Sequence, residues 1–183
     1  MTDDTQPAKW QLGDIHHIGL TVSDLERSIQ FYRDMLGLTL IRRRPHVREE
    51  YISQQTGYEG VELSVASFRV SDDIRGRVPA GVLDSGAGST NGDRPADRCP
   101  SLEIVQYISH AGDPRKPATN RAGSSHLCLL VDDLRACYED LSNRGVPFKS
   151  EPVTITAGPN EGGLVIYLLD PYGYTIEMFQ PPA

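Results

Sequence analysis

The 183-residue sequence predicts an α+β fold in which two βαβββ modules form a curved mixed sheet around a concave cup. Three observations predict it. A strand-like stretch is written twice, one helix-and-glycine pattern follows each copy, and each copy ends on a strand with a glutamate between apolar residues.

The repeat comes first. His17-Ile18-Gly19-Leu20-Thr21-Val22-Ser23-Asp24-Leu25 returns 109 positions later as His126-Leu127-Cys128-Leu129-Leu130-Val131-Asp132-Asp133-Leu134. In the first copy His17, Gly19 and Thr21 alternate with Ile18, Leu20 and Val22, so the histidine and the aliphatics face opposite ways. His126 opposes Leu127, Leu129 and Val131 in the same manner. Cys128 shares its parity with His126, yet a small buried hydrophobe is its expected role.

A helical pattern follows each strand. Leu25, Ile29, Tyr32 and Leu36 recur at three- and four-residue spacing, giving one stripe to lay on a sheet. Ser23 with Glu26 reads as a capping box, and Gly37 stands where a helix ends with positive φ. Leu134, Cys137, Tyr138 and Leu141 form the second stripe, and Gly145 ends it.

The remaining strands complete each module. Residues 38–44 and 61–70 read as strands, with a short turn or helix over 50–55 between them. Residues 71–100 hold five glycines and three prolines with few apolar residues, so they read as a long loop. Loops of that length are functional lids or disordered; this one is expected to be mobile and to border the cup mouth. Leu102-Glu103-Ile104-Val105-Gln106-Tyr107 resumes the sheet. Its counterpart, Ile176-Glu177-Met178-Phe179-Gln180, follows the strand 164–169 and the turn Asp170-Pro171-Tyr172-Gly173. The glutamates are 74 positions apart, and the Gly/Pro-rich insertion accounts for most of the shortfall from 109. The expected organisation is a tail over 1–14, a first module over 15–111 containing the 71–100 insertion, a linker over 112–122, and a second module over 123–181.

Composition excludes several roles. A net charge of −7 and no long basic run argue against nucleic acid as a partner. The triplet Arg42-Arg43-Arg44 is the nearest approach to a basic patch, and a solvated strand end is its expected fate. No apolar run approaches the ~20 residues of a membrane span, and no charged-then-apolar leader opens the chain. Three cysteines without CxxC spacing make a disulfide framework unexpected and a reducing cytoplasm the default location.

Two histidines and two glutamates thus share the face turned away from the helices. A lone histidine or glutamate on a strand is usually unremarkable, but four at equivalent places of two repeats suggest one pocket. Burying carboxylates without a partner is costly, and a divalent cation is a natural compensation. Imidazole with carboxylate oxygen suits Zn, Ni, Co, Fe or Mn without selecting one.

The βαβββ repeat, the opening His-Ile-Gly-Leu-Thr-Val-Ser-Asp-Leu-Glu-Arg-Ser-Ile-Gln-Phe-Tyr-Arg-Asp-Met-Leu-Gly and the closing Leu-Leu-Asp-Pro-Tyr-Gly-Tyr-Thr-Ile-Glu-Met-Phe resemble the vicinal oxygen chelate superfamily. That superfamily includes glyoxalase I, methylmalonyl-CoA epimerase, extradiol dioxygenases, and fosfomycin- and bleomycin-resistance proteins. The resemblance runs over about 15–180 apart from the insertion. It implies that His17, Glu103, His126 and Glu177 ligate one divalent metal, and that the ligand pairs meet within one chain or across a homodimer. Two features depart from glutathione-dependent members. Thr21 stands where those carry an arginine for the glutathione carboxylate, and the 71–100 insertion is not typical of them. Glu62 lies roughly where epimerase-like members place a second acid/base.

The leading expectation is a lyase, epimerase or isomerase acting on a small carbonyl compound. Glu177 or Glu103 would remove the proton next to the carbonyl while the metal stabilises the developing charge. These two are expected as base ahead of His16, His46 or His110, since His16 faces away from the cup by parity. An iron extradiol-type dioxygenase using His17, His126 and Glu177 is the alternative, with Glu103 against it as a fourth ligand. A non-catalytic natural-product binding or resistance protein is the third reading.

Overall fold

The doubled strand motif becomes the parallel strand pair of two like sheets. The computed structural model describes residues 10, 13, 15–69, 100–113 and 118–182. Their elements are β1 (His17–Val22), α1 (Leu25–Ile29) with a π-helical continuation (Gln30–Met35), β2 (Thr39–Val47), α2 (Glu50–Thr56), β3 (Leu63–Arg69) and β4 (Ser101–Tyr107), then β5 (His126–Leu130), α3 (Leu134–Asn143), β6 (Val153–Thr154), β7 (Leu164–Leu169) and β8 (Thr175–Gln180). One sheet has the order β1-β4-β3-β2 and the other β5-β8-β7-β6. In each, the first strand runs parallel to the last while the other pairs are antiparallel. The fold is therefore the α+β architecture of βαβββ modules. Apart from Pro100, the 71–100 insertion lies outside the described residues, as does nearly all of the 1–14 tail.

Alternation sorts each strand as the sequence implied. Leu20, Val22, Ala66, Phe68, Leu102 and Ile104 are buried under α1, and Leu129, Ile166, Leu168, Ile176 and Met178 line the corresponding face of the second sheet. These residues join the helix stripes in one hydrophobic cluster that spans both modules. A smaller cluster of Val47, Ile52, Val61 and Leu63 packs α2 against the first sheet.

Two local expectations are corrected. The N-cap of α1 is Asp24, whose Oδ1 accepts the Arg27 amide at 3.1 Å, rather than Ser23. Ser23 still belongs to the strand exit, and its carbonyl accepts Gln106 Nε2 at 2.9 Å. The stripe ending at Leu36 is also not one α-helix. After Ile29 the backbone widens into π geometry, with the Leu36 amide bonding back five residues to Phe31 at 3.1 Å. The wider turn buries both Phe31 and Tyr32 and leaves Leu36 half-buried. Gly37 and Gly145 do take positive φ, 72° and 83°.

The repeat extends to a pair of glutamines. Gln106 Oε1 accepts the Leu25 amide at 3.0 Å and Gln180 Oε1 accepts the Leu134 amide at 2.8 Å. Each satisfies an otherwise orphan donor at a helix start and locks the helix to the last strand of its module.

The modules are joined by a buried polar link. Asp170, 3 % exposed, sits in the turn between β7 and β8. Its Oδ1 accepts the Tyr172 and Tyr174 amides, both at 2.8 Å, and its Oδ2 accepts the Tyr32 hydroxyl at 3.2 Å. Burial raises the Asp170 carboxyl above its ordinary 3.8, with the hydrogen bonds opposing it. The folded protein therefore holds this proton at pH values where the unfolded chain has released it. Stability from Asp170 is full below 3.8 and is lost as pH rises through the raised folded value. Asp170→Ala should cost about 2–3 kcal/mol by leaving buried donors unpaired, and Asp170→Asn less. In urea titrations, the wild type's stability relative to Asp170→Asn should fall as pH rises above 3.8; a rise over that range would contradict the assignment.

Candidate metal centre

The register of the parallel pairs builds the site. Glu103 pairs with Gly19 and Glu177 with Cys128, each two residues past the histidine on the neighbouring strand. Since side chains alternate, histidine and glutamate lie on the same face, diagonally adjacent. In the first sheet His17 Nε2 stands 4.0 Å from Glu103 Oε1, and in the second His126 Nε2 lies 2.9 Å from Glu177 Oε2. The four residues thus assemble as two like pairs. Among the described residues no group of three or more His, Cys, Asp and Glu converges within the chain.

The surroundings of the pairs differ. Gly19 leaves open space beside Glu103, where the second sheet carries Cys128. Cys128, expected as a small buried hydrophobe, is instead exposed on this face, yet the desolvating protein around its sulphur, and then the Glu177 charge, push its thiol up to about 11. Without a cation beside it, it stays a thiol at neutral pH. Tyr167 pairs in register with Glu177, and its ring centroid lies 5.5 Å from that of His126. Burial, then the charge of Glu177, raises its phenol above the ordinary value. Glu177 is the more enclosed carboxylate, 21 % exposed against 34 % for Glu103.

Other histidines fall as follows. His16 precedes β1, and its Nδ1 meets His17 Nδ1 at 2.8 Å, so parity does not keep it from the pair. With His17 Nδ1 engaged there, Nε2 is the ring nitrogen turned toward Glu103. His46 and Arg48 engage Glu62 at 2.5 and 2.8 Å, at the far end of the first sheet beyond the Leu63–Tyr107 pair. Glu62 is therefore not beside Glu103. His110 contacts Ser109 at 3.1 Å.

Sequence reading set His16 aside and missed Tyr167 and the two glutamines. The glutamines had a signal, standing three residues after each glutamate. Tyr167 had one too, the parity of β7, but no register to carry it. His16 had none, because parity fails once a residue leaves the strand.

The donor set suits a divalent cation. Two donors held by one ion at roughly 2.0–2.2 Å sit about 3 Å apart; the second pair's 2.9 Å meets that separation, and the first pair's 4.0 Å would have to close toward it. Nitrogen with carboxylate oxygen is the chemistry of the transition ions and zinc.

Residues 14–178 match the sequence profile of the Glyoxalase/Bleomycin resistance protein/Dioxygenase superfamily. The chain belongs to that superfamily. The glyoxalase superfamily protein is 25 % identical over 172 residues to 2-epi-5-epi-valiolone epimerase of Actinomyces sp, covering 92 % of this chain and 80 % of the relative. It is 28 % identical over 168 residues to lactoylglutathione lyase of Haemophilus influenzae, covering 91 % of each. Among solved structures, a glyoxalase family protein from Bacillus cereus superposes with a TM-score of 0.71 at 18 % identity, over 97 % of this chain and 100 % of that one. A glyoxalase/dioxygenase from Nostoc punctiforme gives 0.55 at 20 % identity, over 98 % and 99 %. These structures share the fold. No helix among the described residues is long and apolar enough to cross a membrane.

Because Cys128 stands where the first sheet has Gly19, which offers no donor, Cys128→Ser should change divalent-cation affinity by no more than about threefold in calorimetric titration. A tenfold or greater loss (about 1.4 kcal/mol) would put the sulphur among the ligands.

Proposed function

We propose that this protein is a metal-dependent lyase or epimerase that moves a proton at the carbon next to a carbonyl of a small molecule. The observation that carries the reading is the doubled pair, His17 with Glu103 and His126 with Glu177, at equivalent places of two sheets and on the faces the core leaves free. The relatives, an epimerase and a lactoylglutathione lyase, support the reaction class.

His17, Glu103, His126 and Glu177 would hold the cation. When bound, it would supply positive charge for a substrate oxygen as negative charge develops there. The chain's own residues do the rest. Glu177 takes the proton, and His126, whose Nε2 lies 2.9 Å from its carboxylate, stands beside it as the other donor of the pair. Glu103 is the counterpart on the first sheet and the second candidate base. His16 orients His17 through the Nδ1 contact. Tyr167 covers one flank of the His126–Glu177 pair and limits water there. General acid–base action by a positioned carboxylate contributes about 10²–10⁴-fold.

The two pairs complete one cup across a homodimer, each chain giving one pair to each site. The support is the shared core, which engages the helix-packed faces of both sheets and leaves the pairs on the opposite faces. Mixing tests this. His17→Ala and His126→Ala homodimers should each lack full sites, whereas a refolded mixture should regain sites, because a heterodimer pairs an intact His17 with an intact His126. Cation stoichiometry that stays at baseline in the mixture would place the cup within one chain.

The reaction class is tested with metal-loaded protein in deuterated buffer under argon, with α-hydroxy ketones, hemithioacetals and acyl-CoA thioesters. Deuterium entering the carbon next to the carbonyl, lost in Glu177→Gln, is the expected result. Turnover only on admitting air, with catechols and iron, would transfer the protein to the dioxygenases.

A further inference from the structure

The basic triplet expected as a solvated strand end is split by β2 into two roles. Arg43 pairs in register with Ala66 and turns to the helix-packed face, where it meets Glu26 of α1. Arg42 pairs with Ser67 and Arg44 with Val65. Ser67 pairs onward with Glu103, so both arginines overhang the face that carries that carboxylate. Arg42, Arg44, Tyr51, Gln55, Tyr107 and Glu103 line one hollow of about 240 Å³.

The two arginines are not equivalent. Arg44 is engaged by Tyr51 and Glu49, which raise its already high pKa. Arg33, Arg43, Arg48 and Arg144 likewise have carboxylate partners. Arg42 makes no ion pair or side-chain hydrogen bond with any described residue, although it borders a hollow containing a carboxylate. A guanidinium stays charged throughout the physiological range and offers five donors in a planar fork that matches a carboxylate or phosphate. At the rim of a site and without a partner among the described residues, it supplies a fixed positive point for an incoming anion.

We propose that Arg42 selects the substrate by binding an oxyanion, carboxylate or phosphate, set a few bonds away from the reacting carbon. This rests on reading Glu103 as part of the reactive centre. The spacing follows from the sheet: the Arg42 and Glu103 backbones stand on either side of Ser67, two strand intervals or roughly 9.5 Å apart across the sheet. The oxyanion and the reacting oxygens are therefore at opposite ends of a compact molecule rather than on adjacent atoms.

The test is calorimetric binding to the full chain loaded with zinc, using two matched pairs that share a hydroxy-ketone end. One pair is 5-hydroxy-4-oxopentanoate and neutral 1-hydroxypentan-2-one; the other is xylulose 5-phosphate and neutral xylulose. At least one anion should bind about tenfold or more tighter than its neutral twin. The pair that shows the preference tells carboxylate from phosphate. Arg42→Gln should abolish the preference, and Arg43→Gln, whose residue lies on the other face, should keep it. Equal binding of both pairs by the wild type, a preference that survives Arg42→Gln, or one equally lost in Arg43→Gln would each overturn the proposal. Failure of the reaction class would show separately, as no deuterium incorporation, since the comparison of charged and neutral twins reads binding alone.

Discussion

The arrangement of the two modules depends on one buried carboxylate. Asp170 closes the β7–β8 turn by accepting two amides of its own module, then accepts the Tyr32 hydroxyl from the other. Tyr32 is fully buried, and burial followed by the neighbouring charge pushes its phenol well above the usual range, so it stays a donor. The π-helical turn that presents Tyr32 is thus tied to this contact. A buried polar link of this kind is costly unless complete, which makes it an alignment device: slippage between modules would strand a carboxylate and a hydroxyl. Tyr172, whose hydroxyl reaches the Asp24 carbonyl at 3.0 Å, and Arg144, which reaches the Asp34 carbonyl at 2.5 Å, add direct bonds across the same seam.

That alignment gives the two sheet faces separate work. The helix-packed faces merge into one core, so the chain gains its hydrophobic stabilisation without using the faces that carry His17, Glu103, His126 and Glu177. A one-residue slip in β1 or β5 would turn the histidine into the core and the aliphatics to water. Gln106 and Gln180 oppose such a slip, because each fixes a helix start against the last strand of its own sheet. The same register that secures the fold therefore places the donors.

The equivalence of the modules stops at the edges of the site. Gly19 leaves room where Cys128 fills it, and the first sheet has Ser67 where the second has Tyr167. The first sheet thus presents a more open, arginine-bordered face beside its pair, and the second a more closed, aromatic one.

Much of this was legible in the sequence because it is periodic. Alternation of two in the strands assigned faces, the three- and four-residue stripes assigned the helix sides, and a repeat of 109 positions paired His17 with His126. β6 was not legible: Val153 and Thr154 are two exposed residues, too few for any period. The cap at Asp24 escaped because Ser23 and Asp24 both offer a capping oxygen and the strand exit decides between them, and the π turn after Ile29 escaped because it is tied to packing against the second module. Sequence alone determined the two modules and which residues share a face, because side-chain direction along a strand or helix is a local property of the backbone. Only the tertiary structure decided that the four donors stand as two pairs, that Arg42 rather than Arg43 overhangs Glu103, and that Tyr32 meets Asp170. Those depend on strand register and module packing, which bring together residues up to 138 positions apart and leave no trace in local spacing.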